Sequence, residues 1–248
     1  MDEDHLCGVH SVRSALRAHP ERMVTVWVAE ERHDRVVGEL LQALHDAGVS
    51  VRRVPRRRLD QLSGGVPHQG VVARCQAVPV RGERELAEFL LPLGGAAFLL
   101  VLDGVQDPHN LGACLRSADG AGAHAVVLPR DRSAPITGVV RRTACGAAES
   151  LPIFQVRNLA RGLEALKQAG LWLVGAADDA QEAVFDVDLT GPLALVLGAE
   201  GSGLRRLTRE SCDRLVRIPM LGSVESLNVS VATGVCLYEA MRQRSASR

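Results

Sequence analysis

Asn110, Arg116, Glu200, Ser226 and Asn228 stand in three separated stretches, and each stretch follows an apolar run. The first reads Asp103-Gly-Val-Gln-Asp107-Pro-His-Asn110 and continues to Arg116 and Ser117. A Pro two residues before an Asn suits a helix entry with Asn110 as its cap. On that helix Arg116 lies within two turns of Asn110 and about 120° round from it. The second stretch, Gly198-Ala-Glu200-Gly201-Ser202-Gly203, holds three glycines in six residues. Such a turn lets backbone approach a ligand closely. It lacks the Gly-Lys-Ser/Thr of a phosphate-binding P-loop, and its spacing differs from the dinucleotide GxGxxG. Glu200 also sits where a carboxylate repels a pyrophosphate. The third stretch runs from Ile218 through Met220, Ser226 and Leu227 to Asn228, with Ser226 and Asn228 as uncharged hydrogen-bonding groups at the head of the last helix. Taken singly, each stretch has a structural explanation: a capped helix with a solvated Arg, a generic glycine turn, a pair of capping residues.

The positions of these stretches follow from the apolar pattern around them. Continuous apolar runs at 98–102, 125–128, 171–176, 193–197 and 215–218 read as buried strands, and helical spacing fits 111–121, 137–144, 158–169, 204–212 and 229–244. Strands without polar alternation suit a parallel sheet covered on both faces. In such doubly wound sheets, ligands bind at the carboxyl ends of strands, where all three stretches fall. A second, smaller α/β unit is expected over residues 1–76. Its helices are at 8–19, 36–47 and 59–62, its strands at 25–29, 49–54 and 70–75, and Gly48 ends the second helix. Between the two units, 77–96 reads as a linker with one short helical pattern bracketed by Pro79 and Pro92.

Composition narrows the function classes. A hydrophobic fraction of 46% is enough for a packed core and argues against disorder. The formal net charge is zero, so any nucleic-acid role must rest on local patches rather than on the whole chain. The densest basic run is Arg52, Arg53, Arg56, Arg57 and Arg58, which suits phosphate contacts; a solvated loop in a chain with Lys167 as its only lysine is the alternative. Only seven residues are aromatic, which disfavours recognition by stacking platforms. The six cysteines form no CxxC pair, so neither a disulfide framework nor a zinc site is expected. The acidic N-terminus lacks an apolar leader core, and no run of about 18 apolar residues occurs. A cytoplasmic protein without a membrane partner is the expectation.

Jointly and in order, LDGVQDPHNLGACLRSADGAG, LVLGAEGSGLRR and IPMLGSVESLNVSVATGVCLYEA resemble the three motifs of the SpoU/TrmH branch of the SPOUT methyltransferases. HQGVVA at 68–73, DRSAPIT at 131–137 and CGAAES at 145–150 extend the likeness over essentially the full length, to the members that modify a guanosine of 23S rRNA. The resemblance implies a trefoil-knotted α/β domain over 97–248 and an L30e-like RNA-binding domain over 1–76. It also implies a homodimer formed through the C-terminal domain, and S-adenosylmethionine (AdoMet) as methyl donor with no metal. The implied cofactor contacts are Gly198, Glu200, Gly201, Gly203, Ile218, Met220, Ser226, Leu227 and Asn228. The implied catalytic set is Asn110, Arg116, Glu200, Ser226 and Asn228, with Arg116 handling the target phosphate and hydroxyl. The implied reaction is 2′-O-methylation of a guanosine in the P-site loop of 23S rRNA. The same chemistry on a resistance-conferring rRNA adenosine or a tRNA guanosine, and a noncatalytic RNA-binding assembly factor, remain the alternatives.

Overall fold

The computed structural model describes residues 3–76 and 80–246. The chain divides into two compact units, Met1–Pro79 with Ile136–Ser150, and Val80–Pro135 with Leu151–Arg248. The first three positions of the expected linker, 77–79, lie outside the described residues.

The first unit is built on a mixed sheet of β1 (Glu3–Cys7), β2 (Met23–Ala29), β3 (Val51–Val54) and β4 (Val71–Gln76), in the order β1-β4-β2-β3. Helices α1 (Val9–Ala18), α2 (Arg35–Asp46) and α3 (Arg56–Ser63) accompany it. Leu16, Val26, Val37, Leu40 and Leu44 share one buried cluster. Gly48 takes a left-handed φ of 69° just past α2, as expected of a glycine ending a helix. Strand β1 was not anticipated, because its acidic sequence hides an edge strand paired only to β4. HQGVVA acquires a structural reason here. His68 is buried, its Nδ1 accepts from the Gly70 amide at 3.0 Å, and its Nε2 lies 3.0 Å from Asp60 Oδ1. The imidazole thereby holds a turn in which Gln69 and Gly70 have φ of 50° and 76°.

The second unit starts with α4 (Glu83–Leu90), β5 (Phe98–Asp103), α5 (Pro108–Gly120) and β6 (Ala125–Pro129). The chain then contributes α6 (Gly138–Thr143) and α7 (Ala147–Ser150) to the first unit, which differs from a linear division at residue 97. Arg141 and Glu149 form a buried ion pair at 2.5 Å. A Cβ at Gly146, whose φ is 100°, would meet the Cβ of Ser14 on α1 at 2.5 Å, so the close approach of CGAAES to α1 requires glycine.

Returning to the second unit, the chain forms β7 (Ile153–Val156), α8 (Leu159–Gln168), β8 (Trp172–Ala176), β9 (Glu182–Ala183), β10 (Leu193–Gly198), α9 (Arg206–Ser211), β11 (Arg214–Arg217) and α10 (Val229–Ala246). All seven strands are parallel, in the order β7-β6-β5-β10-β8-β11-β9. The expected parallel-sheet α/β architecture is therefore found, with two strands that do not stand out by pattern: β7, whose apolar run is interrupted by Gln155, and the two-residue β9. Every residue of β5 is buried, and each large apolar side chain so placed contributes about 1.5–3 kcal/mol. The helix expected inside the linker is α4, which is part of this core rather than a spacer: Leu86 and Leu90 pack with Phe154 and Leu163. Glu83 Oε1 also accepts from the amides of Arg157 and Asn158 at 2.9 and 3.3 Å, closing the N-terminus of α8.

Candidate active site

The sheet order decides which loops meet. β5 and β10 are neighbours, with Gly198 registered against Asp103 at their carboxyl ends, and β10 and β11 flank β8. The first and second stretches are thus adjacent. The third comes in from beyond β8, whose own exit must lie among them.

Helix α5 begins one turn earlier than a cap at Asn110 requires. Asp107 is the cap, accepting from the amides of His109 and Asn110 at 3.2 and 3.3 Å, and Pro108 occupies the first helical position. Asn110 sits inside the first turn, so its side chain is not spent on capping. Its Nδ2 donates to Glu200 Oε2 at 3.2 Å, and its Oδ1 receives Nδ2 of Asn228 at 3.0 Å. One hydrogen-bonded string, Glu200–Asn110–Asn228, joins the three stretches. Asn228 also caps α10, because its Oδ1 accepts from the Ser230 amide at 2.9 Å. The capping explanation and the site explanation of Asn228 are both correct. Ser226 is exposed two residues upstream and lines the adjoining cavity.

The glycine turn is closed by reciprocal hydrogen bonds between Ala199 and Gly203, 3.2 and 2.9 Å long. Gly201 and Gly203 take left-handed φ of 77° and 62°. A Cβ at Gly198 would lie 2.0 Å from the Gly203 carbonyl carbon. Glycine is required there by packing, whereas at 201 and 203 it is required by backbone conformation.

A cavity of about 570 Å³ opens between this turn and the third stretch, within the range of small-molecule sites. Gly198, Glu200, Gly201, Gly203, Ile218, Met220, Ser226 and Leu227 all line it, over a floor that includes Leu197, Val216 and Val229. Asn228 is the one expected cofactor contact outside the lining. Sequence reasoning missed a fourth segment, Ala176 to Asp179, which leaves β8 between the ends of β10 and β11. Its two carboxylates differ in role. Asp179 is gripped by both terminal nitrogens of Arg209 at 2.8 and 3.0 Å, and that hydrogen bonding lowers its pKa from the ordinary carboxylate value. Asp178 remains at the cavity edge. A plain Ala-Ala-Asp-Asp run carries no distinguishing pattern, and only the position of β8 in the sheet reveals it.

Arg116 is exposed on α5, about 9 Å along the axis from Asn110 and on another face of the helix. The structure therefore assembles Asn110, Glu200 and Asn228 directly and leaves Arg116 apart from them, outside the cavity lining. Behind the site, α5 packs on α10, where Cys114 Sγ lies 3.4 Å from Thr233 Oγ1 and burial pushes the thiol up to about 11. Asp103, fully buried at the end of β5, accepts from the Arg205 amide at 3.0 Å and from its Nε at 2.5 Å, tying the first stretch to the second.

In the first unit, Arg52 and Arg53 lie on β3 and Arg56, Arg57 and Arg58 on the first turn of α3, which begins three residues before the expected 59. All five are exposed, but the Arg53 guanidinium donates to the carbonyls of Glu30 and Arg32 at 3.1 Å each. Three cations at a helix N-terminus oppose the helix dipole, so helix stability does not account for them.

Comparison with known families settles the kinship. Residues 97–238 match the model of the SpoU rRNA methylase family, and residues 5–80 match that of RNA 2′-O ribose methyltransferase substrate binding. The chain belongs to the SpoU rRNA methylase family. Relatives within it include a 23S rRNA (guanosine-2′-O-)-methyltransferase RlmB of Pseudomonas syringae pv. tomato, 55% identical over 99% of this chain and 98% of that protein. The RlmB of Haemophilus influenzae is 53% identical over 98% of this chain and 99% of its own length. Among solved structures, the SpoU methyltransferase AviRb from Streptomyces viridochromogenes in complex with AdoMet has a TM-score of 0.78 at 28% identity, over 98% of this chain and 91% of that one. All three stretches fall within the matched residues 97–238, and the Glu200–Asn110–Asn228 string is how this chain fastens them together.

Proposed function

We propose that this chain transfers a methyl group from AdoMet to the ribose 2′-hydroxyl of a guanosine in the P-site loop of 23S rRNA. The observation that carries the reading is the Glu200–Asn110–Asn228 string set against the cavity at the carboxyl edge of a parallel sheet. The cavity suits AdoMet chemically. Its apolar floor fits an adenine face, its glycine turn admits close backbone contact, and Asp178, Glu200 and Glu225 favour a cationic ligand over a polyphosphate. Bound AdoMet supplies an electrophilic sulfonium methyl.

The protein's part is alignment of the hydroxyl for in-line transfer. Gly198, Gly201, Gly203, Ile218, Met220, Ser226 and Leu227 hold the cofactor, largely through backbone. Asn110 and Asn228 keep the loops in register, and Glu200 orients Asn110. Arg116 binds the phosphate of the target nucleotide and orients its hydroxyl; a guanidinium is protonated at ordinary pH, so this role needs no proton uptake. The exposed Arg52, Arg56, Arg57 and Arg58 take up RNA phosphates at the first unit. The same reading makes the second unit a trefoil-knotted domain and the enzyme a cytoplasmic homodimer, which the half-exposed Val231 and Tyr238 on α10 support.

The deciding experiment incubates the purified protein with labelled AdoMet and 23S rRNA lacking the modification, then maps the product. One 2′-O-methylguanosine in the P-site loop is expected. Label on tRNA alone, or on an rRNA adenosine, overturns the substrate assignment. Sedimentation of the free protein as a monomer would overturn the homodimer.

A further inference from the structure

A second concavity of about 400 Å³ lies at the carboxyl ends of β6 and β7, and its lining includes Arg132, Arg157, Arg205 and Arg206 with Asp131 as its only carboxylate. The four arginines are committed to different degrees. Arg205 is anchored on buried Asp103, and Arg206 makes an exposed pair with Glu210 four residues on, at 2.8 Å, a contact of little net worth. The side chains of Arg132 and Arg157 have no hydrogen-bond or ion-pair partner among the described residues. The neighbouring Glu83 carboxylate is engaged by the amides of Arg157 and Asn158.

Two features tie this concavity to the candidate active site. Leu204 lines the 570 Å³ cavity while the next residues, Arg205 to Thr208, line the arginine one, so one loop and helix serve both. The loop bearing Arg132 is also fastened to the first motif, where the Ala134 amide donates to the Val105 carbonyl at 2.9 Å. Arg132 has a φ of 63°, an unfavourable conformation for a side chain of its kind, in a loop held at both ends.

We infer that this concavity binds phosphodiester groups of the substrate RNA next to the nucleotide that enters the site, with Arg132 and Arg157 as the main donors and Arg206 recruited from Glu210. The inference rests on the RNA methyltransferase reading. Guanidinium forks match phosphate oxygens, and a groove adjoining the cofactor cavity sets the register of the strand without reading its bases. Arg132 and Arg157 are positioning residues in this scheme.

The test uses the full chain carrying Arg132→Asn and Arg157→Gln together. Both side chains are exposed, and asparagine tolerates a left-handed φ, so the fold is retained. Binding of a single-stranded RNA oligonucleotide with the P-site loop sequence is measured by fluorescence anisotropy between about 50 and about 200 mM salt. Removing two phosphate contacts is expected to flatten the slope of log K against log salt by about 1.4 and to weaken binding at least about tenfold. AdoMet affinity stays as in the wild type, and the loss in methylation appears in KM for RNA. Wild-type RNA affinity and salt slope in the double variant overturn the inference. So does a result in which inorganic phosphate binds the wild type and not the variant while RNA affinity is unaltered, because the ligand is then a free anion. Binding is read without turnover. A wild type that binds RNA through these arginines yet methylates none would sink the functional reading and leave the site standing.

Discussion

Asn228 donates from Nδ2 to Oδ1 of Asn110 at 3.0 Å while its own Oδ1 caps α10, so one amide both starts a helix and locks the third motif to the first. The two tasks separate by substitution. Asn228→Ser keeps a competent cap but is too short to reach Asn110; its melting temperature should stay near wild type while methylation falls at least about tenfold. Asn228→Ala should lose activity similarly and about 1 kcal/mol of stability as well. Glu200→Gln, which still accepts from Asn110, should keep more activity than Glu200→Ala. Thermal melts alongside product mapping check all three, and a fully active Asn228→Ser variant would dismiss the string as catalytically relevant.

Arg116→Ala removes an exposed side chain from α5, so it should leave melting temperature and AdoMet affinity unchanged. Methylation should drop about 100-fold, the order expected on losing a group that orients the reacting hydroxyl. Single-turnover rates measure this, and undiminished rates would remove Arg116 from the mechanism.

Gly198→Ala places a Cβ 2.0 Å from the Gly203 carbonyl carbon and must spring the turn. Calorimetry should show AdoMet affinity lowered at least about tenfold. Gly234→Ala on α10 is the matched control, because its Cβ would meet only Ser117 Oγ at 3.8 Å. Equal cofactor affinity in the two variants would rule out the turn as a cofactor cradle.

Arg205→Ala leaves the Asp103 carboxylate buried without its cation. Loss of a buried pair's partner costs about 3–5 kcal/mol, and since Arg205 is 41% exposed the expected loss is about 2–3 kcal/mol. Adding Asp103→Asn should recover part of it. Denaturant unfolding checks both, and a change below about 0.5 kcal/mol for Arg205→Ala would contradict the assigned role.

Thiol reactivity offers a check on the core. Burial pushes Cys114 up to about 11 and Cys212 and Cys236 up to about 12, and Cys7 is raised by the same cause. Cys145 is exposed. Because the thiolate is the reactive form, alkylation of the native protein near pH 8 should label Cys145 first and reach the others only on unfolding, as read by peptide mass spectrometry. Prompt labelling of Cys236 would contradict the packing of α10.

Local chemistry made much of the site legible. The glycine spacing, the uncharged residues heading the last helix and the unbroken apolar strands are local properties, so the sequence itself determined the parallel-sheet class and the motif residues. Where one residue could serve two ends, reading the chain locally failed. Asn110 looked like a cap because Pro108 precedes it, yet Asp107 does the capping and frees Asn110 for Glu200 and Asn228. Which loops meet depends on strand order, and strand order is set by long-range pairing that leaves no local trace. Thus the Asp178 and Asp179 segment, the departure of 136–150 to the first unit, the packing of α4 into the second core and the arginine concavity beside the glycine turn were decided only when the chain folded.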